Sequence, residues 1–157
     1  MLFRSVFSEM WFEFRIAALP TSLPPTQHAM KLQLANTTTD KNFISGHGNG
    51  YVAVNGLHIT RPVIILPDAL IDPWLLAATS LDARSLCLTD FAEVLALRPE
   101  LVVFGSGAKF QFPERQILAA FARARIGFEV MDTPAACRTY NVLMGEGRRI
   151  AASLLIS

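Results

Sequence analysis

Apolar and polar positions along this chain follow two rhythms, and the switches between them mark out the elements. From Phe43 to Thr60 the pattern is that of a hairpin. Tyr51-Val52-Ala53-Val54 is rich in β-formers, Asn55-Gly56 suits the positive φ angles of a type I′ turn, and Leu57-His58-Ile59 returns. Val63 to Leu66 is entirely apolar and is stopped by Pro67-Asp68, which predicts a strand buried on both faces. After the break at Asp72-Pro73-Trp74, Thr89 with Glu93 nearby predicts a helix running through Leu97 and stopped by Pro99. Leu101-Val102-Val103-Phe104 follows as a buried strand and ends in the turn Gly105-Ser106-Gly107.

The second half changes to helical spacing. Pro113 suits the first position of a helix from Pro113 to Arg125, because a helix leaves that N–H unpaired in any case. Ile117, Ala120, Phe121 and Ala124 give this helix one apolar face, and Gly127 is expected to end it. Phe128 to Met131 reads as a strand. Thr133 is expected to cap, and Pro134 to begin, a helix reaching about Met144 and closed by Gly145 or Gly147, with Glu146 helping to terminate it. Ile150 to Ile156 is a last apolar strand whose Ala151 and Ala152 leave room for close helix packing. The tail therefore reads βαβαβ, and its strand–helix–strand from Leu101 to Met131 implies a parallel pair joined by a right-handed crossover.

That topology sends the Gly105-Ser106-Gly107 turn and the Asp132-Thr133 turn to one carboxyl edge of the sheet, where open α/β folds bind ligands. Glycines permit close backbone approach, and the amino end of the Pro134 helix presents unpaired N–H groups with partial positive charge. Arg138 and Asn141, three apart, share one side of that helix. The glycines read as a tight turn sooner than as an anion cradle, and Arg138 and Asn141 could equally serve exposed loop carbonyls.

The first 29 residues stand apart. An apolar stretch is followed by a linker containing Pro20, Pro24 and Pro25, and Met30 then opens a polar start. Glu9 and Glu13 offset Arg4 and Arg15, unlike a transit peptide, and no secretory cleavage pattern follows. The segment 1–29 is expected to be a disordered leader or a misassigned start, with docking onto a partner as the alternative, and 30–157 a single α/β domain.

At 157 residues the chain is long enough for one proper core. Its 52% hydrophobic and 17% charged content indicates a well-buried sheet or a face used for self-association. A net charge of +1 without basic clusters argues against nucleic acid, and no apolar run approaches the roughly 20 residues that span a bilayer. Cys87 and Cys137, in contexts resembling a buried strand approach and a helix, read as reduced thiols of a cytoplasmic protein.

No complete catalytic set emerges. Ser106 lacks a hydrolase-type His and carboxylate, and His47 and His58 fit no metal spacing with the cysteines. Cys137, in the first turn of its helix, reads as an inert buried thiol sooner than a nucleophile, and Asp132 as a turn or cap residue. Gly46-His47-Gly48-Asn49-Gly50 precedes a strand instead of a helix, so it reads as a bulge or tight turn and not as a dinucleotide loop. No cofactor and no metal are expected.

The run from Met131-Asp132-Thr133-Pro134-Ala135-Ala136-Cys137-Arg138-Thr139-Tyr140-Asn141 through Leu143, Glu146-Gly147-Arg148 and Ala151-Ala152 forms a distinctive pattern. It resembles the signature of a domain-of-unknown-function family that includes the mitochondrial respiratory complex I assembly factor three and many short bacterial and archaeal proteins. Phe104-Gly105-Ser106-Gly107, the glycine-rich segment before Tyr51, and Val63 to Pro67 with Trp74 extend the resemblance over 31–157. It implies a three-layer α/β fold around a central mixed sheet with added β-structure at one side. Taken with the βαβαβ tail, the expected fold is a central mixed, mostly parallel sheet flanked by helices plus an N-terminal β-hairpin region. The resemblance implies no agreed catalysis and does not require Cys137 or Asp132.

The expected function is a non-catalytic binding or assembly protein that holds a protein partner, with respiratory-chain subunits as candidates. The candidate surface comprises Gly105, Ser106, Gly107, Thr133, Arg138, Thr139, Tyr140 and Asn141. The alternatives are an enzyme or binder of a small anion at the Gly105–Gly107 crevice, and a homo-oligomer joined through apolar surface.

Overall fold

A computed structural model describes residues 41–75 and 82–157. The expectations for the leader 1–29 and for a start at Met30 lie outside the described residues.

The chain opens with a small antiparallel sheet of β1 (Ile44–Gly48), β2 (Tyr51–Val54) and β3 (Leu57–Ile59). Asn55 and Gly56 both take positive φ, 49° and 84°, as the β2–β3 turn requires. A bulge between Ile44 and Gly46 and a positive φ at Gly50 account for the early glycines as backbone features. The central sheet is formed by β4 (Val63–Ile65), β5 (Leu70–Ile71), β6 (Leu101–Gly105), β7 (Gly127–Met131) and β8 (Ile150–Leu154), in the order β5-β4-β8-β6-β7. Pairings β8-β6 and β6-β7 are parallel, whereas β5-β4 and β4-β8 are antiparallel. The sheet is therefore mixed in equal measure, not mostly parallel. The expectation of parallelism extended the βαβαβ tail to the whole sheet, but β4 reaches β8 from the β-rich first half and enters against it.

Two short 3-10 turns, Ala83–Ser85 and Leu88–Phe91, lead into α1 (Ala92–Leu97); α2 (Arg115–Arg123) joins β6 to β7, and α3 (Thr133–Gly145) joins β7 to β8. Because β7 and β8 flank β6 on opposite sides, two crossovers of the same hand place their helices on opposite faces of the sheet. Ala136, Cys137, Tyr140 and Met144 of α3 pack with the small sheet against Val63, Ile65, Val103 and Leu154. On the other face Val94, Ile117 and Phe121 join Ile64, Val102, Phe104 and Ala151. Neighbouring residues of β4 and of β6 thus enter different cores, which is why these strands read as unbroken apolar runs. Phe91 is the hub of the second core, with ring centroids 5.2–5.8 Å from Trp74, Phe104, Phe121 and Phe128.

Several boundaries and one exposure differ from expectation, and β4 and β8 end at Ile65 and Leu154 instead of Leu66 and Ile156. The approach to α1 begins earlier than Thr89, where Asp90 accepts the Cys87 N–H at 2.8 Å. Glu114 is extended at ψ 144°, so Pro113 precedes α2 and its ring is buried. Arg125 takes the left-handed φ of 58° that ends α2, while Gly127 opens β7, where a Cβ would stand 2.8 Å from Leu101 Cδ1. Asp132 caps α3 by accepting the Ala135 N–H at 2.7 Å, which shifts Thr133 one position into the helix. Cys87 is exposed, not buried in a strand approach.

Candidate functional site

Because β6, β7 and β8 are parallel and in register (Gly105 opposite both Met131 and Leu154), the chain segments that leave them meet at one edge. Thr133 joins all three. Its hydroxyl accepts the Gly107 N–H at 3.0 Å and donates to the Leu155 carbonyl at 2.6 Å, and its own N–H donates to the Gly107 carbonyl at 2.9 Å. Gly105 has no room for a side chain, since a Cβ would lie 2.9 Å from Thr133 Oγ1 and 3.0 Å from Thr133 Cα. Gly107 has φ 97°, a backbone conformation open to glycine. Ser106 is buried and organises the following loop. Its N–H donates to the Met131 carbonyl, and its hydroxyl donates to Lys109 and Met131 carbonyls and accepts the Gln111 N–H.

The tip of α3 is internally satisfied. The Thr133 N–H goes to Gly107, Pro134 has none, the Ala135 N–H goes to the Asp132 side chain, and the Ala136 N–H goes to the Asp132 carbonyl. An anion placed there meets no unpaired helix-terminal donor among these residues. The remainder of the predicted set is distributed along α3. Tyr140 is fully buried and its hydroxyl donates to the Asn42 carbonyl at 2.9 Å. Asn141 accepts the Ile44 N–H at 3.0 Å and donates to the Ile44 carbonyl at 2.8 Å, so its carboxamide acts as a strand partner for β1. Thr139 is half-buried, and Arg138 projects into solvent. The structure thus gathers Gly105, Ser106, Gly107 and Thr133 at one edge, while Tyr140 and Asn141 attach α3 to the first strand.

Cys137 is buried, and loss of hydration pushes its thiol up to about 12, so it stays protonated at neutral pH. Burial likewise raises the Tyr140 phenol. His58 stacks on Tyr51 with ring centroids 4.7 Å apart. Among the described residues no group of three or more His, Cys, Asp and Glu side chains could hold a metal ion, and no helix is long and apolar enough to cross a membrane.

Among the described residues, hollows lie at both edges of the sheet. A crevice of about 340 Å³ lies at the carboxyl edge, lined by His47, Asn49, Tyr51, Gly107, Pro134 and Ser157 among others. It adds the glycine-rich hairpin to the predicted edge, because the Gly50 N–H donates to the Ser157 carbonyl and Ser157 Oγ accepts the Ala108 N–H. A larger, mainly apolar hollow of about 550 Å³ lies at the opposite edge between Lys41, Leu66, Pro67, Leu97 and Arg148. Sequence reasoning also passed over Phe110 and Phe112. They stand 56% and 58% exposed, edge to face at 5.0 Å. Their signal was available as two aromatics in the loop between Gly107 and Pro113, outside any apolar periodicity.

A family model described as "Protein of unknown function (DUF498/DUF598)" matches residues 44–155. Among curated proteins the chain is similar to NADH dehydrogenase [ubiquinone] 1 alpha subcomplex assembly factor 3 of Homo sapiens, 30% identical over 72% of this chain and 60% of that protein. It is also similar to the protein of the same name from Rattus norvegicus, 29% identical over 78% of this chain. The match spans 64% of the rat protein, so less than two-thirds of either relative is represented. Among solved structures, that of Xanthomonas campestris XCC1710 aligns with TM-score 0.65 and 30% identity over 85% of this chain and 92% of that one.

Proposed function

The chain belongs to the DUF498/DUF598 family, and from that premise we propose that it is a non-catalytic binding protein that holds a protein partner during assembly of an NADH dehydrogenase. The observation that carries this reading is the contrast at the carboxyl edge. The polar groups of Ser106 and Thr133 and the helix-tip N–H groups are engaged within the fold, whereas the Phe110–Phe112 pair beside them faces solvent. Exposed paired aromatics on a rigid base favour macromolecular contact through apolar burial. The assembly factors to which the chain is similar supply the class of partner. A cytoplasmic location for this chain, expected from its sequence, is carried as part of the same proposal. Arg138, exposed on α3, and its neighbour Thr139 enter the same proposal as further contacts for the partner.

Affinity capture of the tagged full chain from its own cells tests the reading. NADH dehydrogenase subunits are expected in near-stoichiometric amount, and their absence from repeated captures overturns it. A thermal-shift panel of phosphates, nucleotides and carboxylates is expected to be flat. Saturable stabilisation that disappears in Arg138→Ala would favour the anion reading instead.

A further inference from the structure

Among the described residues the central sheet ends on one side at β7, which pairs there with β6 alone. The ladder shows which backbone groups are left over. Gly127 donates its N–H to the Glu100 carbonyl, and Met131 receives the Ser106 N–H, so both residues turn their polar groups toward β6. In a strand the N–H and C=O of one residue point the same way and alternate from residue to residue. Glu129 therefore also faces β6, and Phe128 and Val130 turn their N–H and C=O groups outward. Among the described residues no hydrogen bond reaches those outward groups.

We propose that β7 is an open docking edge that accepts an extended segment of a protein partner as an additional strand, with a cationic residue of that segment set against Glu129. This rests on the protein-binding reading above and specifies its surface. An unpaired row of backbone donors and acceptors is complementary to another strand and to little else. Glu129 is the one charged side chain in Gly127–Met131, it is exposed, and it selects the sign of the incoming residue. The same charge argues against a second copy as the occupant. In a two-fold pair of β7 strands, the register that matches the whole strand sets Phe128 against Val130 and Glu129 against Glu129. That central position is not hydrogen-bonded across the new pair, so the two carboxylates would meet at closest approach. The aromatic pair extends the edge. Ser106 donates to the Met131 carbonyl and accepts the Gln111 N–H, which holds the Phe110–Phe112 loop at the end of β7, where a partner strand would run onto it.

The test is panning of a phage-displayed random nonamer library against the full chain, followed by affinity measurements on the selected peptides. Selected sequences are expected to alternate β-forming apolar residues with Lys or Arg at one fixed position, and to slow hydrogen exchange at the Phe128 and Val130 amides. Val130→Pro removes an outward N–H and no bond to β6, and it should weaken binding at least tenfold. Glu129→Lys, at an exposed position, should reverse the selected charge from basic to acidic, and this carries the test if Val130→Pro does not fold. The proposal is overturned by a library that yields no binders, by peptides indifferent to both variants, or by a self-dimer in light scattering that Val130→Pro dissolves. Capture of NADH dehydrogenase subunits that persists in both variants also overturns the edge while the assembly reading stands. Failure of the wild-type chain to capture them overturns the assembly reading, whatever the peptides do.

Discussion

Replacing Asn141 by alanine separates a structural clamp from a binding residue. Its carboxamide forms two bonds with one residue, accepting the Ile44 N–H at 3.0 Å and donating to the Ile44 carbonyl at 2.8 Å. A neutral hydrogen bond contributes about 1 kcal/mol net, and leaving a partly buried partner unsatisfied costs about 1–3 kcal/mol. Asn141 and its bonds are only partly buried, so water recovers some of that loss, and Asn141→Ala is expected to destabilise by about 2–3 kcal/mol. At roughly 2–4 °C per kcal/mol for a domain of this size, the melting temperature should fall by about 4–12 °C. Asn141→Asp is the sharper variant. It keeps an acceptor for the Ile44 N–H but opposes a carboxylate to the Ile44 carbonyl, so it should be at least as destabilising at neutral pH and recover partly in acid, where the protonated group donates. Urea unfolding measures the loss, and hydrogen exchange at the Ile44 amide locates it. A wild-type unfolding midpoint together with unchanged Ile44 protection in Asn141→Ala would refute the clamp and return Asn141 to the list of surface binding residues.

Gly105→Ala forces a methyl group to within 3.0 Å of Thr133 Cα and should destabilise by about 1–3 kcal/mol in the same urea assay, whereas Gly145→Ala, which meets nothing within 4 Å, should change little. Burial raises both the Cys137 thiol, to about 12, and the Tyr140 phenol. In the folded state both groups resist ionisation that the unfolded chain allows, so their contribution is complete below the unfolded thiol value near 8.5 and declines as pH rises above it. Unfolding free energy should therefore fall at alkaline pH by up to about 1.4 kcal/mol per unit for each group, and Cys137→Ala should flatten the decline between about pH 9 and 12.

Residues adjacent in sequence made much of the architecture legible. Asn55-Gly56 specified its turn because two positive φ angles in succession need such residues. The apolar runs Val63–Ile65 and Leu101–Phe104 specified strands buried on both faces, and Ile117 with Phe121 specified the face of α2 that packs inward. The signature Met131 to Asn141 was sufficient for the family, since it is a pattern of residue identities and needs no geometry. Strand direction was legible only where a helix intervened between strands. β4 joins the sheet through Val63 opposite Leu154, a pairing ninety-one positions apart in the chain, and no local rhythm encodes its sense.

The sequence by itself therefore determined most of the elements, though not β1 or β5, together with the burial of β4 and β6 on both faces and the shared carboxyl edge, because periodicity and turn chemistry act over a few neighbouring residues. Only tertiary structure decided what the signature residues do. Tyr140 and Asn141 have polar side chains that would suit a ligand as well as a backbone, and it is the return of Asn42 and Ile44 to α3 that commits them to the fold. Among the described residues it likewise left β7 without an outer neighbour, because which strand lies last in a sheet depends on the order in which the strands pair.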